Sequence, residues 1–366
     1  MKKKKVFNGK PWLTAFILLA LGGCQKAVDS TVDTGASKSQ LAAKELKDFS
    51  QNNLVANVND YNPVHIETNL VNAWGIAFPA SGAAWVTSFG TGKSFVFNGD
   101  GSAARPPVSI PTPDGSAGGH PTGIVVNSTT DFKLPNGNPA RFLFAQAEGM
   151  ISGWNGGNDA FKFAESEGAV YLGLALASNE GSNFLYAANF SQGRIDVFDK
   201  NGAKVNMSFN DPALPAGYLP LNIQQIDGKL YVMYGLPGTG GDVISPRNGF
   251  VDIFNTDGTL VKRFISQGQL NAPWGITKAP VGFWGDADDN QDIFLVGNFG
   301  DGHINAYNGE GIFQGQLRAH GNPIKIEKLW AIAFAPATST VIDHDALYFA
   351  AGPGGEQHGL FGFIKK

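Results

Sequence analysis

Short apolar runs, each closed by a turn rich in glycine, asparagine or aspartate, recur along most of this chain. One type of run begins at Trp74, Thr122, Leu172, Leu221, Trp274 and Trp330, so successive copies stand 48, 50, 49, 53 and 56 residues apart. The clearest copies are "WGIAF" from Trp74 and "WGITK" from Trp274, reached through the turns "LVNA" and "LNAP". A second apolar run follows each, as in "AAWVTSFG" from Ala83, "NFLYAANFSQG" from Asn183 and "DIFLVGNFGDG" from Asp292. A third comes next, as in "SFVFNGDG" from Ser94, "RIDVFDKNG" from Arg194 and "FVDIFNTDG" from Phe250. Asn/Asp-Gly turns after such runs are strong hairpin signals. Several units carry a weaker fourth run, such as "LVKRFIS" from Leu260 and "FQGQLRA" from Phe313.

Four strands per period of about 50 residues predict an all-β fold, a six-bladed β-propeller with four-stranded blades. The sixth unit ends at Lys366 after three strands. "NLVANVN" from Asn53 reads as a strand, and we expect it to pair with the C-terminal blade and close the ring, which removes an open sheet edge. Spacing this even argues against a β-sandwich built from the same strands. Glycine at the second position of four inner strands allows close approach near the axis. Trp74, Trp274 and Trp330 are expected to pack against neighbouring blades.

Composition supports this reading. Of 366 residues, 43% are hydrophobic and 16% charged, with 48 Gly and 27 Phe, which suits strands and tight turns and leaves material for a core. The net charge of -4 argues against a nucleic-acid partner, which normally meets a basic excess.

The N-terminus has its own pattern. Lys2–Lys5 and Lys10 precede the short apolar stretch from Trp12 to Leu21, the order of a signal peptide. Leu21-Gly22-Gly23-Cys24 resembles a bacterial lipobox, and Cys24 is the only cysteine. That resemblance implies cleavage before Cys24, its lipidation, and export. Gln25 in place of Asp implies the outer membrane rather than the inner. The expected organisation is a lipoprotein signal peptide over 1–23, a flexible tether over 24–47 and the propeller over 48–366. The expected location is the bacterial cell envelope, periplasmic or surface-facing, with the chain a monomer.

The chain resembles an uncharacterised family of exported bacterial propeller-like proteins through "LVNAWGI", "SGWN" at Ser152, "RIDVFD" at Arg194, "LPAGYLPLNIQ" at Leu214, "NGFVDIFNTDG" at Asn248, "LNAPWGI" and "VGNFGDGHINAY" at Val296. More distantly the blades look like NHL-type repeats. These occur in binding propellers and in propeller enzymes such as lactonases, so the resemblance implies the fold and leaves function open.

In a propeller, the turns into the inner strands and the loops joining second and third strands share one face. Here they supply Asn72, Ser88, His120, Gln146, Glu148, Asn189, Gln192, Asn271, Asn298, Asp301, His303, Lys328, Glu356 and His358. Asn and Asp in such loops often bond their own backbone. His120, in "GGHPTGI", is a candidate ligand or base near the channel mouth. His, Asp and Glu gathered there could hold a divalent metal that activates water, as in a lactonase-like hydrolase. A second metal candidate is "DADDNQD", where Asp286, Asp288, Asn290 and Asp292 alternate like calcium ligands, without the glycine and the closing glutamate of such loops. No nucleophile elbow, P-loop, dinucleotide fingerprint or HExxH motif appears. The sequence therefore favours a binding module for a protein or glycan ligand, with a metal-dependent hydrolase as the rival.

Overall fold

The computed structural model describes residues 46–80, 82–238, 247–284 and 292–366. The signal peptide, Cys24 and nearly all of the tether lie outside the described residues, as do Asp286, Asp288 and Asn290. Six antiparallel sheets follow one another along the chain and form the blades of a β-propeller. No α-helix occurs among the described residues, and none of their helices is long and apolar enough to cross a membrane.

The inner strands are Ala73–Ala77, Pro121–Val126, Tyr171–Asn179, Leu219–Ile226, Pro273–Lys278 and Leu329–Phe334 in blades 1 to 6. They contain the six expected starting runs, except that Phe78 lies just past the end of the first. Their glycines face the next blade. A Cβ on Gly75 would lie 2.5 Å from the Thr122 carbonyl oxygen, and one on Gly275 2.8 Å from the Ile332 nitrogen. Contacts that short leave room only for glycine. Blade 4 has Asn222 at this position, and its side-chain N–H donates to the Trp274 carbonyl at 2.8 Å, tying blade 4 to blade 5.

Blade 6 is completed from the other end of the chain. Ser50–Ala56 runs antiparallel to Leu360–Lys365, with Ser50 opposite Lys365 and Ala56 opposite Leu360. His65–Ile66 adds a short parallel strand outside it. Ordered packing begins inside the expected tether. Leu46 is buried, and the Arg318 N–H donates to its carbonyl at 2.8 Å. In blade 5 the expected fourth strand stops early. Phe313–Gln316 pairs with the blade, and Arg318–Ala319 turns away to pair with Asn322–Pro323.

Between blades the core is aromatic. Trp85 of blade 1 stacks on Phe142 of blade 2 at 3.9 Å, and the Arg105 guanidinium lies 4.5 Å over Trp154. Offset aromatic pairs and cation–π contacts of this kind add to simple burial.

Candidate functional site

One backbone hydrogen bond recurs around the ring. The first residue of the loop after the second strand donates to the turn that leads into the inner strand. The pairs are Phe89 to Asn72 (3.1 Å), Ala147 to His120 (3.1 Å), Phe190 to Val170 (2.9 Å), Phe299 to Ala272 (3.0 Å) and Gly352 to Lys328 (3.0 Å). This bond places both loop sets of these blades on one face. The turn is left-handed at Asn72, Ala272 and Lys328, with φ of 50°, 49° and 52°. Asn accepts that conformation readily, whereas Ala and Lys do so at a cost. Two residues later in each blade comes a tryptophan.

Those three tryptophans meet across the axis and close the channel at the loop face. Trp74 and Trp330 stack with centroids 3.5 Å apart, and Trp274 stands edge-on to them at 6.4 and 6.1 Å. They pack against one another, which goes beyond the expected cover of a neighbouring blade. Phe299 stacks on Trp330 at 4.0 Å, Phe89 on Trp74 at 5.2 Å, and His120 tilts against Phe89 at 4.8 Å. The Lys328 ammonium sits 4.3 Å from the Phe299 ring at the other end of this row. Leu172, Phe190 and Leu221 from blades 3 and 4 pack against the same cluster. The indoles are buried, while Phe89, Leu172 and Phe190 stay half-buried. Beside this floor, a recess of about 230 Å³ opens between blades 3 and 4 near Arg194, Phe209, Asn210 and Tyr218.

Most of the polar residues on this face are held by their own loops. Ser88 is buried, and its hydroxyl bridges Val71 and Asn69 of its own turn. Gln146 donates to the Pro111 carbonyl at 2.7 Å. Asn189 donates to Asp196 at 2.8 Å and to Gln192 at 3.1 Å. Asn298 donates to the Gln269 carbonyl at 2.8 Å and to Asp301 at 3.1 Å. Asp301 also accepts the His303 backbone N–H at 3.1 Å, with the imidazole 3.6 Å away. Asn271 is buried, and its main-chain carbonyl accepts the Gly300 N–H at 3.0 Å. Asn72 accepts the Trp330 indole N–H at 2.8 Å and donates to Glu356 at 3.0 Å. Glu356 lies 3.9 Å from Lys328, and His358 packs edge-on to Tyr61 at 5.9 Å. These side chains shape loops more than they offer free groups.

His120 differs. Its side chain is 48% exposed, and Nδ1 lies 2.5 Å from Glu148 Oε1. Glu148 also accepts the His120 backbone N–H at 3.1 Å. One carboxylate thus fixes both backbone and ring, and with Nδ1–H as the donor Nε2 is the basic nitrogen.

Sequence reasoning passed over a set of buried polar residues on the third strands. Asp196, Asp252 and Asn305 occupy matching positions in "DVFD", "DIFN" and "NAYN". Asp196 accepts from Tyr171 (2.8 Å), Asn189 (2.8 Å), Arg194 (2.7 Å) and Lys204 (2.9 Å). Burial works against its charge, but these hydrogen bonds prevail and hold its carboxyl below the ordinary value. Asp252 has Arg263 Nε at 3.1 Å, but Arg263 is shared with Asp211 and Asp252 Oδ2 has no partner. Burial pushes the Asp252 carboxyl up to about 7. The recurring Asp/Asn-apolar-aromatic-Asn/Asp string was the available signal.

No three His, Cys, Asp or Glu side chains converge to hold a metal among the described residues. The donor set of a metal-dependent hydrolase is therefore not assembled on this face among them. Of the acidic-loop candidates, Asp292 is described, and it pairs with Lys278 at 2.8 Å.

No family model matches the chain. It is 31% identical over 322 residues to each of two uncharacterized proteins of Acanthamoeba polyphaga mimivirus, over 82% of this chain and 82% and 76% of theirs. The chain belongs to their family. These relatives are viral, so a bacterial origin and a lipoprotein nature gain no support from them. Among solved structures it is similar to virginiamycin B lyase from Staphylococcus aureus, at 16% identity and TM-score 0.50, over 87% of this chain and 99% of that one. It is also similar to a streptogramin B lyase, at 14% identity and TM-score 0.51, over 87% and 97%. At such identities the likeness concerns the fold alone, a fold that also carries enzymes.

Proposed function

We propose that this propeller is a binding module whose loop face holds a protein or glycan partner, with a glycan chain fitting it better. The observation that carries the reading is the closed channel. Stacked indoles and phenylalanines turn the mouth into a shallow, rigid, aromatic floor, with Phe89 and Phe190 half-buried at its surface. Around it stand amides, hydroxyls and charges already paired within the protein. Aromatic anchors inside a polar rim are the usual anatomy of a binding hot spot. A rim whose charges are spent internally suits an uncharged, hydroxylated ligand that lays ring faces on Phe89 and Phe190. A glycan microarray probed with the whole chain tests this. We expect one group of neutral glycans to be retained, and retention to fall in Phe89→Ala and Phe190→Ala. Retention of no glycan would turn the reading to a protein partner, and an unchanged profile in both variants would end it.

One observation favours an enzyme on the same face, the His120–Glu148 pair. A carboxylate that fixes Nδ1–H leaves Nε2 poised as a general base. A variant of virginiamycin B lyase with one histidine replaced by alanine is catalytically inactive. An imidazole-dependent elimination or ester hydrolysis is therefore the second reading. It requires turnover of a lactone or ester panel that disappears in His120→Ala and shifts its pH profile in Glu148→Gln.

Attachment to a bacterial outer membrane through Cys24 remains part of the proposal and rests on the N-terminal sequence. Labelled palmitate should enter the chain when it is expressed in a bacterium, and should not enter Cys24→Ser.

A further inference from the structure

Among the described residues, five blades cover the outer side of their third strand and blade 3 does not. The position concerned is Ser94, Ile151, Ile195, Val251, Ile304 and Phe361 in blades 1 to 6. Ser94 stands opposite Val108, Ile151 opposite Ala164, Val251 opposite Ile265 and Phe361 opposite Val55. In blade 5 the Ile304 carbonyl accepts the Leu317 N–H at 3.0 Å. In blade 3 the fourth strand is Lys204–Val205 alone, which pairs with Val197 and Phe198 and stops short of Ile195. The chain then leaves the blade, and Phe209 packs edge-on to Phe254 of blade 4 at 5.3 Å.

The alternation of the ladder turns the Ile195 main chain toward that open side. The Asp199 N–H donates to the Ala203 carbonyl at 2.9 Å, and alternate residues of an antiparallel strand face the same neighbour. Asp199, Val197 and Ile195 therefore face outward, while Phe198, Asp196 and Arg194 face Leu185, Ala187 and Asn189. The Ile195 N–H and carbonyl have no hydrogen-bond partner on the outer side among the described residues. A recess of about 340 Å³ lies there, lined by Arg194, Ile195, Asp196, Lys204, Val205 and Met207. Its two sides differ. Arg194 and Lys204 converge on Asp196 at 2.7 and 2.9 Å, two cations on one carboxylate, and the Arg194 side chain stays 53% exposed. On the other side Val205 and Met207 are half-buried against the core between blades 3 and 4. An unpaired main-chain donor and acceptor on a strand edge form a template for an added strand.

We propose that this slot takes an extended segment of a partner protein as the missing part of the fourth strand, antiparallel to Arg194–Phe198. One residue of the segment exchanges both main-chain hydrogen bonds with Ile195. Its side chain is apolar and lies on the side of Val205 and Met207. The next residue is acidic and stands opposite Arg194, because the slot carries one cation in excess. The residue before the apolar one stands opposite Asp196 and is uncharged, because that carboxylate repels an acid and already has four donors. The slot lies on the rim of the ring, away from the tryptophan floor, and does not rest on the function proposed for the loop face.

The test is fluorescence anisotropy of a labelled peptide, Gly-Ser-Thr-Val-Glu-Ser-Gly, with the whole chain. The expected result is saturable binding at one peptide per chain. Methylating the valine nitrogen removes the N–H that the Ile195 carbonyl would accept, and should weaken binding about five-fold, the worth of one hydrogen bond. Lysine in place of the glutamate should weaken it about three-fold, and Arg194→Gln should abolish that preference. Light scattering should give the chain the same mass with and without peptide, apart from the peptide itself. Absence of saturable binding, or equal binding of the methylated peptide, overturns the proposal. Equal binding of the lysine peptide overturns its charge selectivity. A mass that falls when the peptide binds gives the slot to a second copy of this chain and overturns the choice of partner.

Discussion

Trp74 and Trp330 lie face to face, 3.5 Å between centroids and 13° apart, yet only the Trp330 indole N–H has an acceptor, Asn72 Oδ1 at 2.8 Å. The Trp74 N–H is buried without a partner. Two residues that read alike in sequence therefore carry different electrostatic roles in one stack. Trp330→Phe strands a buried amide oxygen, whereas Trp74→Phe removes an unsatisfied donor. We expect Trp330→Phe to destabilise more, by about 1–3 kcal/mol beyond the packing loss common to both. Urea unfolding of the two variants checks this, and equal losses would contradict it.

Asp196 and Asp252 give opposite pH signatures from the same strand position. The Asp196 carboxyl is lowered, so its stabilisation is present above the ordinary carboxylate value and is lost as pH falls through its folded value. The Asp252 carboxyl is raised from 3.8 to about 7, so its contribution is fully present below about 4 and is lost as pH rises through about 7. Asp252→Asn should flatten the stability profile between those limits and make the protein relatively more stable above pH 7. Asp196→Asn should destabilise at pH 7 by about 1–3 kcal/mol, since buried Tyr171 and Asn189 lose a charged acceptor. Thermal unfolding across pH 2–9 reads both.

The ring depends on close passage between inner strands. Gly75→Ala would press a methyl group against the Thr122 carbonyl, and we expect a cost of about 1–3 kcal/mol for the forced backbone shift. Gly181→Ala is the control for the glycine itself, because a Cβ there meets nothing within 4 Å, though its φ of 80° adds local strain. A melting temperature for Gly75→Ala no lower than that of Gly181→Ala would show that the blades can separate without penalty.

Closure by Ser50–Ala56 protects the edge of Leu360–Lys365. Deleting residues 46–56 should expose that edge and give larger assemblies or aggregates than the whole chain forms at the same concentration. Light scattering after size exclusion distinguishes this from a propeller that tolerates an open blade.

The repeat was legible because strand period and hairpin turns are local signals, and the closing strand because the last unit lacked a partner for its third strand. Which end of the channel is sealed was not legible. It depends on Trp74, Trp274 and Trp330 reaching one point from blades 1, 5 and 6, a convergence that spacing alone does not encode. The loop residues were placed by topology, but their roles were hidden. Whether Asn189 or Asn298 offers its amide or spends it on Asp196 and Gln269 is decided by side-chain packing. His120 and Glu148, 28 residues apart, could be named separately but not joined as a pair.

The central claim is that the aromatic floor of the loop face is the binding surface. Isothermal titration of the glycan best retained on the array, with the whole chain, Phe89→Ala and Gly181→Ala, tests it most directly. The account predicts affinity lost at least ten-fold in Phe89→Ala, as for a central aromatic anchor, and unchanged in Gly181→Ala. Full affinity in a folded Phe89→Ala, or its loss in Gly181→Ala alone, would place binding elsewhere and contradict the account.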